Sequence, residues 1–80
     1  MYKEKLITKV EGLKSEHCAL IAHAASRFKS DISIIKGNKK VNAKSIMGLL
    51  SLNIKNKDLV FINISGDDEV IAMDEILGLL

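Results

Sequence analysis

Hydrophobic and polar residues alternate near the N-terminus of the chain and then adopt helical spacing. Between Lys3 and Val10 the period is two and β-branched residues are frequent, which predicts a strand with one wetter face. One face of this strand carries Leu6, Thr8 and Val10, and the other carries Lys5, Ile7 and Lys9. Gly12 interrupts the pattern, and apolar residues then recur at helical spacing up to about Lys29. Ser15 is the predicted N-cap of this helix because its hydroxyl can accept a backbone amide.

The remainder of the chain continues to alternate between strand and helix patterns. The turn signal Gly37-Asn38 separates two short strand patterns and predicts a hairpin. The elements predicted after the first helix are strands over Asp31–Lys36 and Lys39–Asn42, a helix over Ala43–Leu52, a strand over Leu59–Ser65, and a helix that runs from its N-cap Asp67 to Leu80. Four strands cannot bury both faces of a sheet, so the helices must cover one side. The order β-α-β-β-α-β-α therefore predicts an α+β fold, an open-faced two-layer sandwich.

The amino-acid composition is that of a folded domain and does not indicate a particular binding partner. The 80 residues are 48% hydrophobic and 28% charged, which is typical of a folded domain, and we expect one domain over residues 1–80. Twelve basic and ten acidic residues give a net charge of +2, which does not indicate binding to nucleic acid or to a membrane. The single cysteine excludes an intramolecular disulfide, and no apolar run has membrane-spanning length, so we expect a cytoplasmic protein.

No cluster of side chains suggests catalysis or a bound cofactor. His17 and His23 are six positions apart on one predicted helix, so they face different directions and cannot chelate one metal ion. Cys18 belongs to the apolar stripe of the same helix, which favours a small core residue over a reactive thiolate. We therefore expect no enzyme activity, no metal site and no cofactor.

Two segments have features that attract an anion. The loop Gly12–Ser15 contains a lysine and leads into a helix N-terminus, where free backbone amides favour a negative group; the alternative is a plain connection between strand and helix. Ser45 lies at the start of the second helix, where a phosphate would be stabilised in the same way. Ile46, Met47 and Leu50 cannot all face one narrow core, so some of them should be exposed. The alternative here is an N-cap serine above a short core helix.

The segment around Ser45 resembles a known family. Residues 39–52 are similar to the regulatory-serine region of HPr, the histidine-containing phosphocarrier of the bacterial sugar phosphotransferase system. Further positions that match the layout of this family are Gly12-Leu13, Arg27-Phe28, Ser30-Asp31 and Ser65–Glu69. The resemblance covers essentially the whole chain, and it implies four antiparallel strands in the order 1-4-2-3 covered by three helices.

The phosphocarrier motif departs from the family pattern. That motif is Gly-Leu-His-Ala-Arg-Pro-Ala, whereas residues 12–18 are Gly-Leu-Lys-Ser-Glu-His-Cys. Lys14 stands at the position of the phosphoryl-accepting histidine, Glu16 at that of the arginine that steadies the phosphate, and His17 at that of the proline. A lysine ammonium cannot accept the phosphoryl group, and a carboxylate repels phosphate at short range. The chain is closest in type to Crh-like members, which lack the active-site histidine.

The sequence around Ser45 retains the family pattern of the regulatory serine, and the resemblance implies a role for this residue. Ser45 is then the residue phosphorylated by HPr kinase/phosphorylase. The partner-facing patch implied by the resemblance comprises Lys44, Ile46, Met47 and Leu50. A catabolite-control transcription regulator is a further candidate partner, although its usual contact includes the arginine replaced by Glu16. We expect a non-catalytic regulatory protein; the alternatives are an active phosphocarrier that uses His17 and a diverged module with an unrelated partner.

Overall fold

Four strands and three helices follow one another in the order that the sequence pattern predicts. The computed structural model describes all residues from 1 to 80. The strands are β1 (Tyr2–Leu6), β2 (Asp31–Lys36), β3 (Lys39–Asn42) and β4 (Leu59–Ser65), and the helices are α1 (Ser15–Ser26), α2 (Ile46–Ser51) and α3 (Glu69–Leu79). None of the three helices has the length and apolar character that crossing a membrane requires.

The strands form one antiparallel sheet in the order β1-β4-β2-β3. Ile62 in the middle of β4 pairs with Lys3 on one side and with Ile34 on the other. Ile34 in turn pairs with Val41 of β3. β1 and β3 are therefore the two edges of the sheet, and the 1-4-2-3 order implied by the resemblance is confirmed.

The hydrophobic core lies between one face of the sheet and the helices. Alternate residues of the two central strands point into it and are at most 2% exposed: Ile32, Ile34, Val60, Ile62 and Ile64. The helices contribute buried residues such as Ile21, Leu49 and Ile76. Because the side chains of a strand alternate between its faces, the residues between these core positions point away from the helices. This confirms the open-faced α+β sandwich.

β1 is shorter than predicted, and the buried residue of the predicted strand, Ile7, comes from the more polar of its two faces. The strand ends at Leu6 rather than at Val10, and the amide of Ile7 then donates to the carbonyl of Asp58 at 2.8 Å. Ile7 is fully buried, whereas Leu6 is 52% and Val10 is 90% exposed. A period of two shows which residues share a face, but the position of the helices decides which face is covered.

Two helices begin one residue away from the predicted positions. The N-cap of α1 is Lys14, and Ser15 is its first helical residue. The N-cap of α3 is Asp68, one residue later than predicted, and its carboxylate does not cap its own helix. That carboxylate instead accepts the amides of Lys29 at 2.9 Å and Ser30 at 3.0 Å. A contact between residues so distant in sequence cannot be predicted from the local capping pattern.

Candidate functional site

The segment that corresponds to the phosphocarrier motif forms the loop into α1. Gly12 adopts a φ of 68°, and the amide of the following Leu13 donates to the carbonyl of Ile54 at 3.0 Å. A Cβ at Gly12 would lie 2.6 Å from that carbonyl oxygen, so both the backbone conformation and the close approach require glycine. This packing fixes the position at which Lys14 begins the helix.

Lys14 and Glu16 give the start of α1 a chemistry that does not suit a phosphoryl acceptor. The Lys14 side chain is exposed and does not cap the helix, because an ammonium group has donors only. It therefore has no free lone pair with which to attack phosphorus. Glu16 is also exposed and lies in the first turn, where the helix dipole stabilises its negative charge. An arriving phosphate would meet this carboxylate instead of a guanidinium.

His17 is half-buried, and its ring connects α1 to the end of α3. Its Nε2 contacts the carbonyl oxygen of Leu79. A carbonyl oxygen only accepts hydrogen bonds, so Nε2 is the donor and carries a proton there. Nε2 in that role has no lone pair available for phosphoryl transfer, whereas Nδ1 of a neutral ring keeps one. The contact holds the ring against the C-terminal end of another helix.

Cys18 lies in the core, as predicted. It is 1% exposed, and its Sγ lies 3.9 Å from the carbonyl oxygen of Leu13. Burial raises the pKa of the Cys18 thiol, which disfavours the thiolate. His23 on the same helix is exposed. No group of three or more His, Cys, Asp or Glu side chains is placed to hold a metal ion.

Ser45 is the N-cap of α2, and its hydroxyl oxygen accepts the amide of Gly48 at 3.1 Å. The side chain is half-buried. α2 covers only Ile46–Ser51 and is shorter than predicted, because the residues before the cap form a turn. In that turn the side-chain oxygen of Asn42 accepts the amide of Lys44 at 2.9 Å. The structure thus places Ser45 at the point where a turn becomes a helix.

The apolar residues of the partner-facing patch are exposed, as their spacing suggested. Ile46 is 44%, Met47 75% and Leu50 37% exposed, whereas the neighbouring Leu49 is 1% exposed and belongs to the core. Lys44, the fourth residue of the patch, is half-buried. Its Nζ donates to the carbonyl of Phe28 at 2.8 Å, so this lysine ties the start of α2 to the end of α1.

A shallow groove of about 630 Å³ lies between α1 and α2 and connects the start of α1 with the segment around Ser45. Glu16 and Leu20 line it from α1, and Lys44 and Ile46 line it from the start of α2. Leu20 is 58% exposed, and the sequence interpretation missed it because it lies outside the apolar stripe of α1. A large apolar residue out of phase with such a stripe is the signal that could have identified it.

Known proteins with similar sequences and structures agree on the family. The family described as "PTS HPr component phosphorylation site" matches residues 2–80. The HPr-like protein Crh of Bacillus subtilis is 39% identical over 77 residues, which cover 95% of this chain and 91% of that protein. Crh of Halalkalibacterium halodurans is 44% identical over 69 residues, 86% of this chain and 82% of that protein. The crystal structure of HPr from Bacillus anthracis matches with a TM-score of 0.95 at 35% identity and covers 100% of this chain and 95% of that one. Together with the sheet order and the site geometry, these matches show that the chain belongs to the HPr family, as a homologue of its Crh members.

Proposed function

We propose that this chain is a non-catalytic regulatory protein of the phosphotransferase system and of carbon catabolite control, and that it acts in the cytoplasm through phosphorylation of Ser45. The observation that carries this proposal is the contrast between its two sites. Lys14 and Glu16 remove the acceptor and reverse the charge beside it, whereas Ser45 presents a hydroxyl next to exposed apolar side chains. Membership of the HPr family supports the same cellular context.

Phosphorylation would change the chemistry at the start of α2 without removing the cap. A kinase transfers a phosphoryl group from a nucleoside triphosphate to Oγ of Ser45, and the hydroxyl proton and the nucleoside diphosphate leave. The phosphate oxygens can then take over as acceptors of the Gly48 amide. The added charge is about −1.5 to −2 and meets the positive end of the helix dipole. The same phosphate would compete with the Phe28 carbonyl for the ammonium group of Lys44.

The proposed partners dock on the partner-facing patch. HPr kinase/phosphorylase would bind the unmodified protein there, and a catabolite-control transcription regulator is the candidate reader of the phosphorylated form. Met47 and Leu50 offer apolar contact area, and the phosphate would add an anion at its rim. Glu16 lines the adjoining groove, so a reader that covers both positions needs basic side chains opposite two anionic groups.

Labelling with HPr kinase/phosphorylase tests the site assignment. We expect the wild-type protein to incorporate phosphate and Ser45→Ala to incorporate none. Ser51→Ala is the matched control, since Ser51 is an exposed serine of the same helix, and it should be labelled like the wild type. Equal labelling of Ser45→Ala and wild type would contradict the assignment. A kinase that labels ordinary HPr but leaves this chain unlabelled would favour the diverged module with an unrelated partner.

Incubation with enzyme I and phosphoenolpyruvate tests the second part of the proposal. We expect no acid-labile phosphate, because Lys14 cannot accept the group, Glu16 repels a phosphate beside it, and the half-buried ring of His17 is held against Leu79 through Nε2. An ordinary HPr serves as the positive control. Stoichiometric labelling that disappears in His17→Gln would instead establish an active phosphocarrier that uses His17.

A further inference from the structure

The exposed side of α1 carries a row of residues that borders three hollows on the surface. Glu16, Leu20 and His23 are four and three positions apart, so they lie on one side of the helix, and all three are exposed. Leu20, in the middle of the row, lines the groove between α1 and α2, a hollow in front of α1 and a hollow between α1 and α3. We call this row the α1 ridge. Because α1 packs against both other helices, a protein that docks across the helices covers this ridge.

Glu16 is an isolated anion among apolar side chains of the α1 ridge and its surroundings. It lines the groove together with Ile46 and lines the hollow in front of α1 together with Val10. Ile46 is 44%, Leu20 58% and Val10 90% exposed. The Glu16 carboxylate belongs to no ion pair within the chain. Solvent, rather than a cation of this chain, therefore balances its charge.

The nearby cations of the chain do not neutralise this carboxylate. Lys44 lines the same groove, but its Nζ donates to the carbonyl of Phe28 at 2.8 Å. Lys14 lies two positions before Glu16, and residues two apart along a helix do not face each other. His23, the remaining titratable group of the groove, lies seven residues along α1, which is about 10 Å at the rise of an α-helix. The chain thus leaves a place beside Glu16 that a cation of another molecule can occupy.

We propose that Glu16 determines which partner proteins this face accepts: the partner must place an arginine opposite the carboxylate, with apolar side chains on Leu20 and Ile46. A docked protein covers the apolar residues around Glu16 and removes water from it. A carboxylate that loses water without gaining a partner is strongly destabilised, so a neutral or acidic surface at this point is rejected. Arginine suits the position because its planar guanidinium binds a carboxylate through two hydrogen bonds and is weakly hydrated.

The reversed charge gives this chain a range of partners that differs from that of chains with the intact phosphocarrier motif. That motif has an arginine at the position of Glu16, so a partner that offers a carboxylate to the arginine would meet a like charge here. The inference rests on the proposed function only in that a protein docks on the helices, and it requires no phosphate on Ser45. Phosphorylation would add a second anion next to Ile46 and strengthen the preference for a basic partner.

Titration of the isotope-labelled chain with two synthetic peptides, followed by NMR, tests the proposal. Both peptides are helical and place one leucine a turn before and one a turn after the central residue, which is arginine in the first peptide and glutamate in the second. We expect the arginine peptide to shift the amide signals of Glu16, Leu20 and Ile46 and to bind at least tenfold more tightly than the glutamate peptide. Added salt should weaken its binding. No binding of the arginine peptide up to about 1 mM, or equal affinities for the two peptides, would overturn the proposal.

Substitutions at two carboxylates separate a local contact from attraction by net charge. Glu16→Gln should weaken binding of the arginine peptide at least fivefold, and Glu16→Arg should bind the glutamate peptide more tightly than the arginine peptide. Asp74→Asn is the matched control, because Asp74 is an exposed residue of α3 that lines none of the three hollows, and it should bind like the wild type. Equal losses in Glu16→Gln and Asp74→Asn would contradict the role of Glu16. The peptides require neither kinase nor phosphate, so an unlabelled Ser45 would count against the proposed function alone.

Discussion

At the scale of single residues, two side chains at the start of α1 depart from the phosphocarrier motif of the family. Lys14 occupies the N-cap with a group that only donates hydrogen bonds. Glu16 in the first turn carries a negative charge that no ion pair within the chain neutralises. The surrounding backbone is held by the Gly12 turn and by the hydrogen bond of the Leu13 amide. The change is therefore chemical rather than architectural.

Restoration of the phosphocarrier motif should need more than one substitution. Lys14→His supplies a ring nitrogen at the N-cap, but Glu16 leaves an anion beside the new phosphate, so phosphorylation by enzyme I and phosphoenolpyruvate should be slow. Adding Glu16→Arg should raise the rate at least tenfold. The two residues share one site, so their effects should not be additive. Equal rates for Lys14→His and the double variant would contradict the electrostatic part of this explanation.

Asp68 is the second residue whose individual chemistry has a measurable consequence. Hydrogen bonds from the Ser30 hydroxyl and from the backbone amide of Lys29 lower the pKa of the Asp68 carboxyl. Because the folded-state pKa is below the usual value of about 3.9, these contacts stabilise the fold at neutral pH. This contribution is lost as the pH falls below about 4 through the lower folded-state pKa.

Denaturant unfolding as a function of pH tests the role of Asp68. Asp68→Asn should be less stable than wild type at pH 7 and should lose less stability between pH 5 and pH 2. The neighbouring variant Asp67→Asn alters an exposed carboxylate and should follow the wild-type profile. Parallel pH profiles for Asp68→Asn and wild type would show that this carboxylate does not account for the acid sensitivity.

At the scale of elements, two glycines at opposite ends of α3 differ in the space around them: Gly66 lies in the turn from β4, and Gly78 lies inside the helix. Gly66 has a φ of 155°, and a Cβ there would lie 2.3 Å from the Ser30 hydroxyl oxygen and 2.7 Å from its Cα. Gly78 lies inside α3, and a Cβ there would meet nothing within 4 Å. The same substitution should therefore have opposite effects at the two ends of this helix.

Gly66→Ala should destabilise the protein by more than about 1 kcal/mol, because its backbone conformation and the contact with Ser30 both resist a side chain. Gly78→Ala should stabilise it by about 0.5–1 kcal/mol, since alanine loses less backbone entropy in a helix. Chemical denaturation of both variants measures the two free energies of unfolding. A stabilising Gly66→Ala would show that the segment can move away from Ser30.

α2 provides the second prediction at this scale. Since a phosphate on Ser45 meets the N-terminal end of the helix dipole, phosphorylation should leave the fold intact or stabilise it by about 0.3–1 kcal/mol. Ser45→Ala removes the acceptor of the Gly48 amide and should cost about 1 kcal/mol. Thermal melting of the phosphorylated, unmodified and Ser45→Ala proteins compares the three states. A phosphorylated form that melts well below the unmodified protein would exclude the helix-terminus explanation.

At the scale of the whole molecule, one hydrophobic cluster of 19 buried residues joins the two central strands and the three helices. Ile62 lies at its centre, on β4 between two neighbouring strands, and is fully buried. A chain of this length has a free energy of unfolding of about 4–12 kcal/mol. Loss of a single large core side chain should therefore affect the whole fold rather than one element.

Ile62→Val should cost about 0.5–1.5 kcal/mol and Ile62→Ala about 2–5 kcal/mol, because the larger truncation also leaves a cavity. Ile71→Ala is a surface control at a residue that is 67% exposed, and it should change stability by less than about 0.5 kcal/mol. Unfolding followed by both fluorescence of Tyr2 and far-UV circular dichroism should give coincident transitions. A tolerated Ile62→Ala would contradict the view that this core is tightly packed.

The sequence alone determined the type and order of the elements and the chemistry available at the two sites. Alternation in β4, helical spacing in α1 and the Gly37-Asn38 turn are local properties, and each corresponds to the observed element. Cys18 is buried and Ser45 caps α2, because the apolar stripe and the N-cap preference are also local signals. The order 1-4-2-3 came from the family resemblance, since strand pairing across the chain leaves no periodic signal.

Only the tertiary structure decided which face of the predicted first strand turns toward the core, where α3 begins and what His17 contacts. Ile7 is buried because the helices cover that side of the sheet, and a period of two is the same for either side. Asp68 starts α3 because its carboxylate is held by the segment before β2, and His17 contacts Leu79 because α1 and α3 pack together. Each of these features depends on residues far apart in the chain, where contacts arise from the packing of whole elements rather than from any local preference.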